Sequence, residues 1–148
     1  MNIENLTEEE IKDRILRKQL EWIKLCQDNF LVFAESVWQD FIYRKTKDPK
    51  KMGHHQIIAR AFENIADGDD KRLIINMPPR HTKSEFASYL FPAWFIGKYP
   101  KKKIMQVSHN AELASRFGSK VRNLMNTKEY KEIFGNVTLR EDSKAKGR

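Results

Sequence analysis

The stretch from Arg72 to Glu85 constrains the fold of this chain more than any other. It opens on an apolar run, Leu73-Ile74-Ile75-Asn76-Met77, passes through Pro78-Pro79-Arg80-His81-Thr82, and ends on Lys83-Ser84-Glu85 at the start of a helix. A run so nearly continuous in apolar residues suits a strand buried on both faces of a parallel sheet. A strand, a tight loop ending in Lys-Ser and a helix is the arrangement in which backbone N–H groups converge on a phosphate. In that arrangement Lys83 is a point cation for phosphate oxygens and the Ser84 hydroxyl is a ligand for Mg²⁺. The strict pattern G-x-x-x-x-G-K-[ST] is not met, because Met77 and Thr82 stand where the glycines belong. Thr82 is β-branched, so a positive φ there is strained by on the order of 1–3 kcal/mol. The same residues also fit a plain strand-turn-helix connection whose Lys and Ser cap the helix and face water.

Two motifs carry a family likeness. Pro78-Pro79-Arg80-His81-Thr82-Lys83-Ser84-Glu85 resembles the P-P-R-H-G-K-S-E loop of the large terminase subunits of tailed bacteriophages, the ATP-driven motors that package DNA into an empty capsid. Ser108, Asn110, Leu113, Ala114, Arg116 and Phe117 match the S-x-N-x-x-L-A-x-R-F stretch of the same family. The resemblance runs from about Phe30 to the last residue. It implies a P-loop NTPase-like α/β fold, a parallel sheet flanked by helices, incomplete and preceded by an N-terminal helical segment. It divides the chain into residues 1–50, helical with a basic loop, and residues 51–148, the first part of an ATPase domain.

The resemblance also implies cofactors, roles and partners. ATP and Mg²⁺ would sit on Pro79, Arg80, His81, Thr82, Lys83 and Ser84. Lys83 would neutralise the β/γ phosphates, and Arg80 would act as a finger in cis on the γ-phosphate. Gln56 would read the adenine edge, which an amide can meet as donor and acceptor at once, with His55 as its neighbour. Ser108, Asn110 and Arg116 would face DNA. Double-stranded DNA, the small terminase subunit and the portal protein are the implied partners. The implied setting is the host bacterial cytoplasm, with transient homo-oligomers on the procapsid portal. Plainer readings stay open for several of these residues. Arg80 could anchor DNA or a neighbouring subunit, Gln56 could face water at a helix N-terminus, and Ser108 and Asn110 are both residue types that cap helices.

At 148 residues the chain has the size of one domain and a net charge of +8. That balance makes a polyanionic partner plausible without specifying one. The single Cys26 excludes an internal disulfide and suits a reducing compartment. No basic-then-apolar leader is read at the N-terminus, and no apolar run approaches the ~18 residues that span a membrane.

Local signals place the helices. Thr7-Glu8-Glu9-Glu10 fits a capping box, followed by a packing helix from about Glu8 to Cys26 with Ile11, Ile15, Leu16, Leu20 and Ile23 on its apolar face. A second helix is expected from Phe30 to about Tyr43, then a polar loop from Arg44 to Gly53. A third runs from His54 to about Ala66 and stops at Gly68. The adjacent His54 and His55 diverge on a helix and do not suggest zinc. A helix after Lys83, apolar on most sides, should kink at Pro92. A second strand, Ile104–Ser108, would pair in parallel with the first through a right-handed crossover. A helix to Met125, a short one capped by Thr127, and a polar tail from Arg140 to Arg148 follow.

Hydrolysis also needs an acid at the end of another strand and a carboxylate to orient water. After Lys83 no apolar run ends in paired acids, so the expectation is an N-terminal fragment of such a motor that binds nucleotide weakly without turning it over. The competing readings are a basic module that contacts DNA or a partner without nucleotide chemistry, and part of a helicase-like ATPase.

Overall fold

In the computed structural model, which describes residues 7–38 and 53–139, the chain folds as helices α1 (Glu8–Asp28), α2 (Phe30–Val37), α3 (His54–Asp67), the short α4 (Lys83–Glu85), a π-helical turn (Phe86–Leu90), α5 (Phe91–Lys98), α6 (Ala111–Met125) and α7 (Lys128–Ile133). The helix expected from Phe30 to about Tyr43 stops at Val37, where Trp38 turns extended (φ −114°, ψ 92°) as its C-cap; residues 39–43, the basic loop as far as Met52 and the tail from Arg140 lie outside the described residues.

Side-chain caps set most of these boundaries. Thr7 Oγ1 accepts from Glu10 N–H, and Glu10 accepts in return from Thr7 N–H at 2.8 Å. At α2 the Asn29 side chain accepts from Val32 N–H and the Glu63 carboxylate from Phe30 N–H at 2.7 Å. Gly68 ends α3 with φ +88°, a conformation that its missing Cβ makes cheap. Asn110 opens α6 and Thr127 opens α7 in the same manner.

One hydrophobic core joins these helices, and Phe30 sits at its centre. Its ring meets Phe62, Phe86 and Phe91 edge-on at 5.5–5.8 Å and Trp94 at 5.5 Å. The buried polar groups of the core are paired, Trp94 Nε1 with the Cys26 carbonyl and the Tyr130 hydroxyl with the Ala93 carbonyl. Only the C-terminal end of α1 reaches this core. Cys26 is buried, whereas Ile15, Leu16 and Leu20 are more than half exposed, so the expected packing face of α1 packs at one end only.

Gly97 is placed by close approach. A Cβ there would come within 2.6 Å of the ring of Phe134, itself buried against Phe33 and Tyr130. Gly97→Ala is expected to destabilise the fold by about 1–3 kcal/mol, as overpacking does, which a lowered urea midpoint would register.

The α/β architecture expected from the sequence is not what forms. Among the described residues there is no strand and no sheet; the architecture is helical, and Leu73–Met77 and Ile104–Ser108 take no regular structure. The parallel pairing and the crossover expected between them are therefore absent as well. A strand exists only where neighbours complete its ladder, and a lone pair of strands is marginal in water. Burial on both faces fails too. Ile75 and Met77 pack against the core, but Ile74 is 85% exposed, Met105 87% and Val107 79%. The apolar run marked residues that avoid water, yet the described chain supplies a cover on one side only. Both segments instead line an open cleft of about 540 Å³ with Phe62, Ala87 and Phe91.

The helix behind Lys83 answers Pro92 with its π turn. Proline has no N–H to offer the carbonyl four residues back. That carbonyl, on Ser88, accepts from Gln106 Nε2 at 3.0 Å instead.

Candidate phosphate-binding loop

The loop between Met77 and Lys83 turns twice on left-handed backbone. Among the described residues, Arg80 (φ +65°) and Thr82 (φ +62°) are the non-glycine residues with positive φ. Such conformations cost on the order of 1–3 kcal/mol each outside glycine and persist only where surrounding contacts enforce them. The enforcing contacts are visible. His81 Nδ1 donates to the Pro79 carbonyl at 2.9 Å, and the Thr82 hydroxyl donates to the His81 carbonyl at 2.6 Å. Phe86 N–H reaches the Thr82 carbonyl at 2.9 Å, which locks the loop to the helix that follows. The N–H groups of Lys83, Ser84 and Glu85 open that helix and so have no carbonyl within it one turn earlier.

Lys83 folds back over the loop, its Nζ 3.4 Å from the Pro78 carbonyl. At that length the ammonium is weakly held and can swing to a better acceptor. Ser84 and Arg80 are exposed beside it. These residues are the donor set a phosphate needs: one point cation, one guanidinium, one hydroxyl and first-turn amides. They fit Mg²⁺ only as a phosphate-bound ion, since Ser84 is one ligand and Mg²⁺ normally keeps several waters. Among the described residues no group of three or more His, Cys, Asp or Glu side chains is arranged to hold a metal ion.

His55 lies under the loop. It is 6% exposed, its ring stacks on Phe86 at 5.5 Å and 17°, and its Nε2 is 3.0 Å from Thr82 Oγ1. His54 stands 3.9 Å from it, ring to ring, and 5.9 Å from His81. Burial first, and then the nearby His54 and His81, push the His55 imidazole down to about 4 from its ordinary 6.5. Between those two pH values the unfolded chain takes up a proton that the folded chain refuses. Stability is therefore complete above about pH 6.5 and falls as pH drops towards 4, by on the order of 2 kcal/mol from this group. Urea midpoints at pH 7 and pH 4.5 check this, and the difference between them should shrink in His55→Gln.

The other sequence-predicted residues are scattered. Gln56 accepts from Gly53 N–H at 2.8 Å, so its amide oxygen caps α3. It also lines a separate cleft with Asn29, Arg60 and Glu63. Asn110 caps α6, its Oδ1 accepting from Glu112 N–H at 2.7 Å and Leu113 N–H at 3.4 Å. Ser108 is half-buried and Arg116 exposed. None of the clefts formed around Leu73 and Ile104, around Gly97 and Phe134, or around Gln56 is lined by a loop residue from 78 to 84.

Sequence reasoning missed one pair. Lys120 Nζ lies 3.0 Å from both carboxylate oxygens of Glu85 and over the rings of Tyr89 and Phe117. It ties α6 to the helix behind the loop. The two residues are 35 apart in sequence, and no local pattern connects them.

No protein-family model, no curated protein and no solved structure matches this chain. Among the described residues no helix is long and apolar enough to cross a membrane.

Proposed function

We propose that this chain is the ATP-binding part of a viral DNA-packaging motor, a large terminase subunit, with the loop from Pro78 to Ser84 as its phosphate seat. One observation carries the reading. Left-handed backbone at Arg80 and Thr82 turns the chain into a helix at Lys83, whose ammonium folds back to the Pro78 carbonyl while the Ser84 hydroxyl and the first-turn amides follow in the next residues. The resemblance of this octapeptide to terminase loops supplies the nucleotide and the motor.

In this reading Lys83 leaves the Pro78 carbonyl for the β/γ phosphate oxygens, and the Ser84 hydroxyl is the protein ligand of the phosphate-bound Mg²⁺. Bound Mg²⁺ would offset phosphate charge. Arg80, exposed on the loop, offers a planar fork to the terminal phosphate. Arg116 and Ser108 form the DNA-facing side. The small subunit, the portal and a ring of further copies belong to the same proposal, as does the host bacterial cytoplasm. Steady turnover would need, besides this loop, a carboxylate that holds Mg²⁺ through water and another that orients the attacking water.

A second reading, a basic surface that contacts DNA without nucleotide chemistry, is favoured by the consecutive exposed cations Lys101, Lys102 and Lys103. Titration with a fluorescent ATP analogue, with and without Mg²⁺, decides between the two when run beside a titration with duplex DNA. Saturable, Mg²⁺-dependent nucleotide binding supports the motor. DNA binding that weakens steeply with salt, with no nucleotide signal, supports the alternative.

A further inference from the structure

We propose that His55 is a positioning residue that holds Thr82 in the left-handed conformation of the phosphate loop, a role that presupposes the phosphate-binding reading above. Glycine adopts that backbone freely, and a β-branched residue does not. The structure therefore has to supply what Thr82 lacks.

A hydroxyl carries one proton. The Thr82 hydroxyl lies 2.6 Å from the His81 carbonyl, an oxygen that can only accept, so its proton points there. Its lone pairs are then what face His55 Nε2 at 3.0 Å, and Nε2 must be the donor. This fixes the imidazole with its proton on Nε2. The ring is itself anchored, buried and stacked on Phe86, whose ring packs edge-on to Phe30 at the centre of the core. A continuous path thus runs from the core through His55 Nε2–H to Thr82 Oγ1 and on to the His81 carbonyl. It ends two residues before Lys83, on the loop's own backbone. His55 and Thr82 are 27 residues apart, so α3 steadies the loop from outside it.

The test is a double-mutant cycle on the full chain, using wild type, His55→Phe, Thr82→Gly and the double variant, each titrated with the fluorescent ATP analogue and Mg²⁺. With threonine at 82, His55→Phe should weaken binding about tenfold, a coupling of ordinary size for groups in contact. In the Thr82→Gly background it should change binding by less than about twofold. Equal weakening in both backgrounds overturns the proposal, because His55 would then touch the nucleotide or serve packing alone. If His55→Phe does not fold, His55→Leu, which likewise has no donor, takes its place. Two measurements need no nucleotide. Imidazole ¹⁵N shifts should show the Nε2–H tautomer at pH 7 in wild type, and the Nδ1–H tautomer overturns the proposal. The same cycle read by urea unfolding should show non-additivity between His55 and Thr82, and additivity overturns it. If wild type binds no nucleotide at all, the phosphate reading fails by itself, while the tautomer and the unfolding cycle still judge the contact.

Discussion

Phe30→Ala is expected to cost about 3–5 kcal/mol, the range for removing a fully buried aromatic ring from a core. Few substitutions in this chain should do more. The ring is 0% exposed and touches the aromatic side chains of α3, the π turn and α5, so truncation strips contacts from three elements besides its own. The neighbours cannot all relax into the gap, because each is packed against others; Phe62 stacks on Phe91 at 4.5 Å. A domain of this size is typically stable by only 5–15 kcal/mol, so the variant should unfold at far lower urea or fail to fold. Circular dichroism at 222 nm through a urea titration reads this. Ile57→Ala is the control, since Ile57 is 57% exposed on α3 and should shift stability by no more than about 0.5 kcal/mol. Equal midpoints for the two variants would remove Phe30 from the centre of the core.

Lys83→Ala should do the reverse, leaving the fold intact and removing nucleotide. The Lys83 ammonium has one long contact, 3.4 Å to the Pro78 carbonyl, so its loss should change stability by about 0.5 kcal/mol or less. In the phosphate reading the same ammonium meets a polyanion. A charge-assisted hydrogen bond is worth roughly 1.5–3 kcal/mol, so Mg²⁺–ATP affinity should fall by about tenfold to a hundredfold. Lys83→Arg should recover only part of it, because a planar fork does not reproduce a compact point charge. An unchanged affinity with an unchanged urea midpoint would sink the phosphate seat, whatever Lys83→Arg does.

Features that depend on residues three or four apart were legible in the sequence. Thr7 with Glu10, Gly68, Asn110 and Thr127 mark helix ends that the structure realises within a few residues. Pro92 announced a kink in the helix; the π turn that precedes it, with Gln106 donating to the Ser88 carbonyl, was not announced. At the candidate site, the sequence put Lys83, Ser84 and Arg80 in one loop and foresaw that any positive φ at Thr82 would be strained. It gave His55 to the nucleotide and could not show that this ring lies beneath Thr82. It gave Gln56 to adenine, whereas the amide oxygen of Gln56 caps α3.

The sequence by itself determined where most helices begin, because capping and i, i+4 periodicity are settled within one turn of chain. Tertiary structure alone decided that Leu73–Met77 and Ile104–Ser108 do not become strands, that Phe30 gathers three other elements around it, and that a histidine in α3 braces a loop 27 residues away. The reason is that strand ladders, aromatic clusters and such braces need partners distant along the chain. An apolar run records that a segment shuns water, and only the folded neighbours decide what covers it.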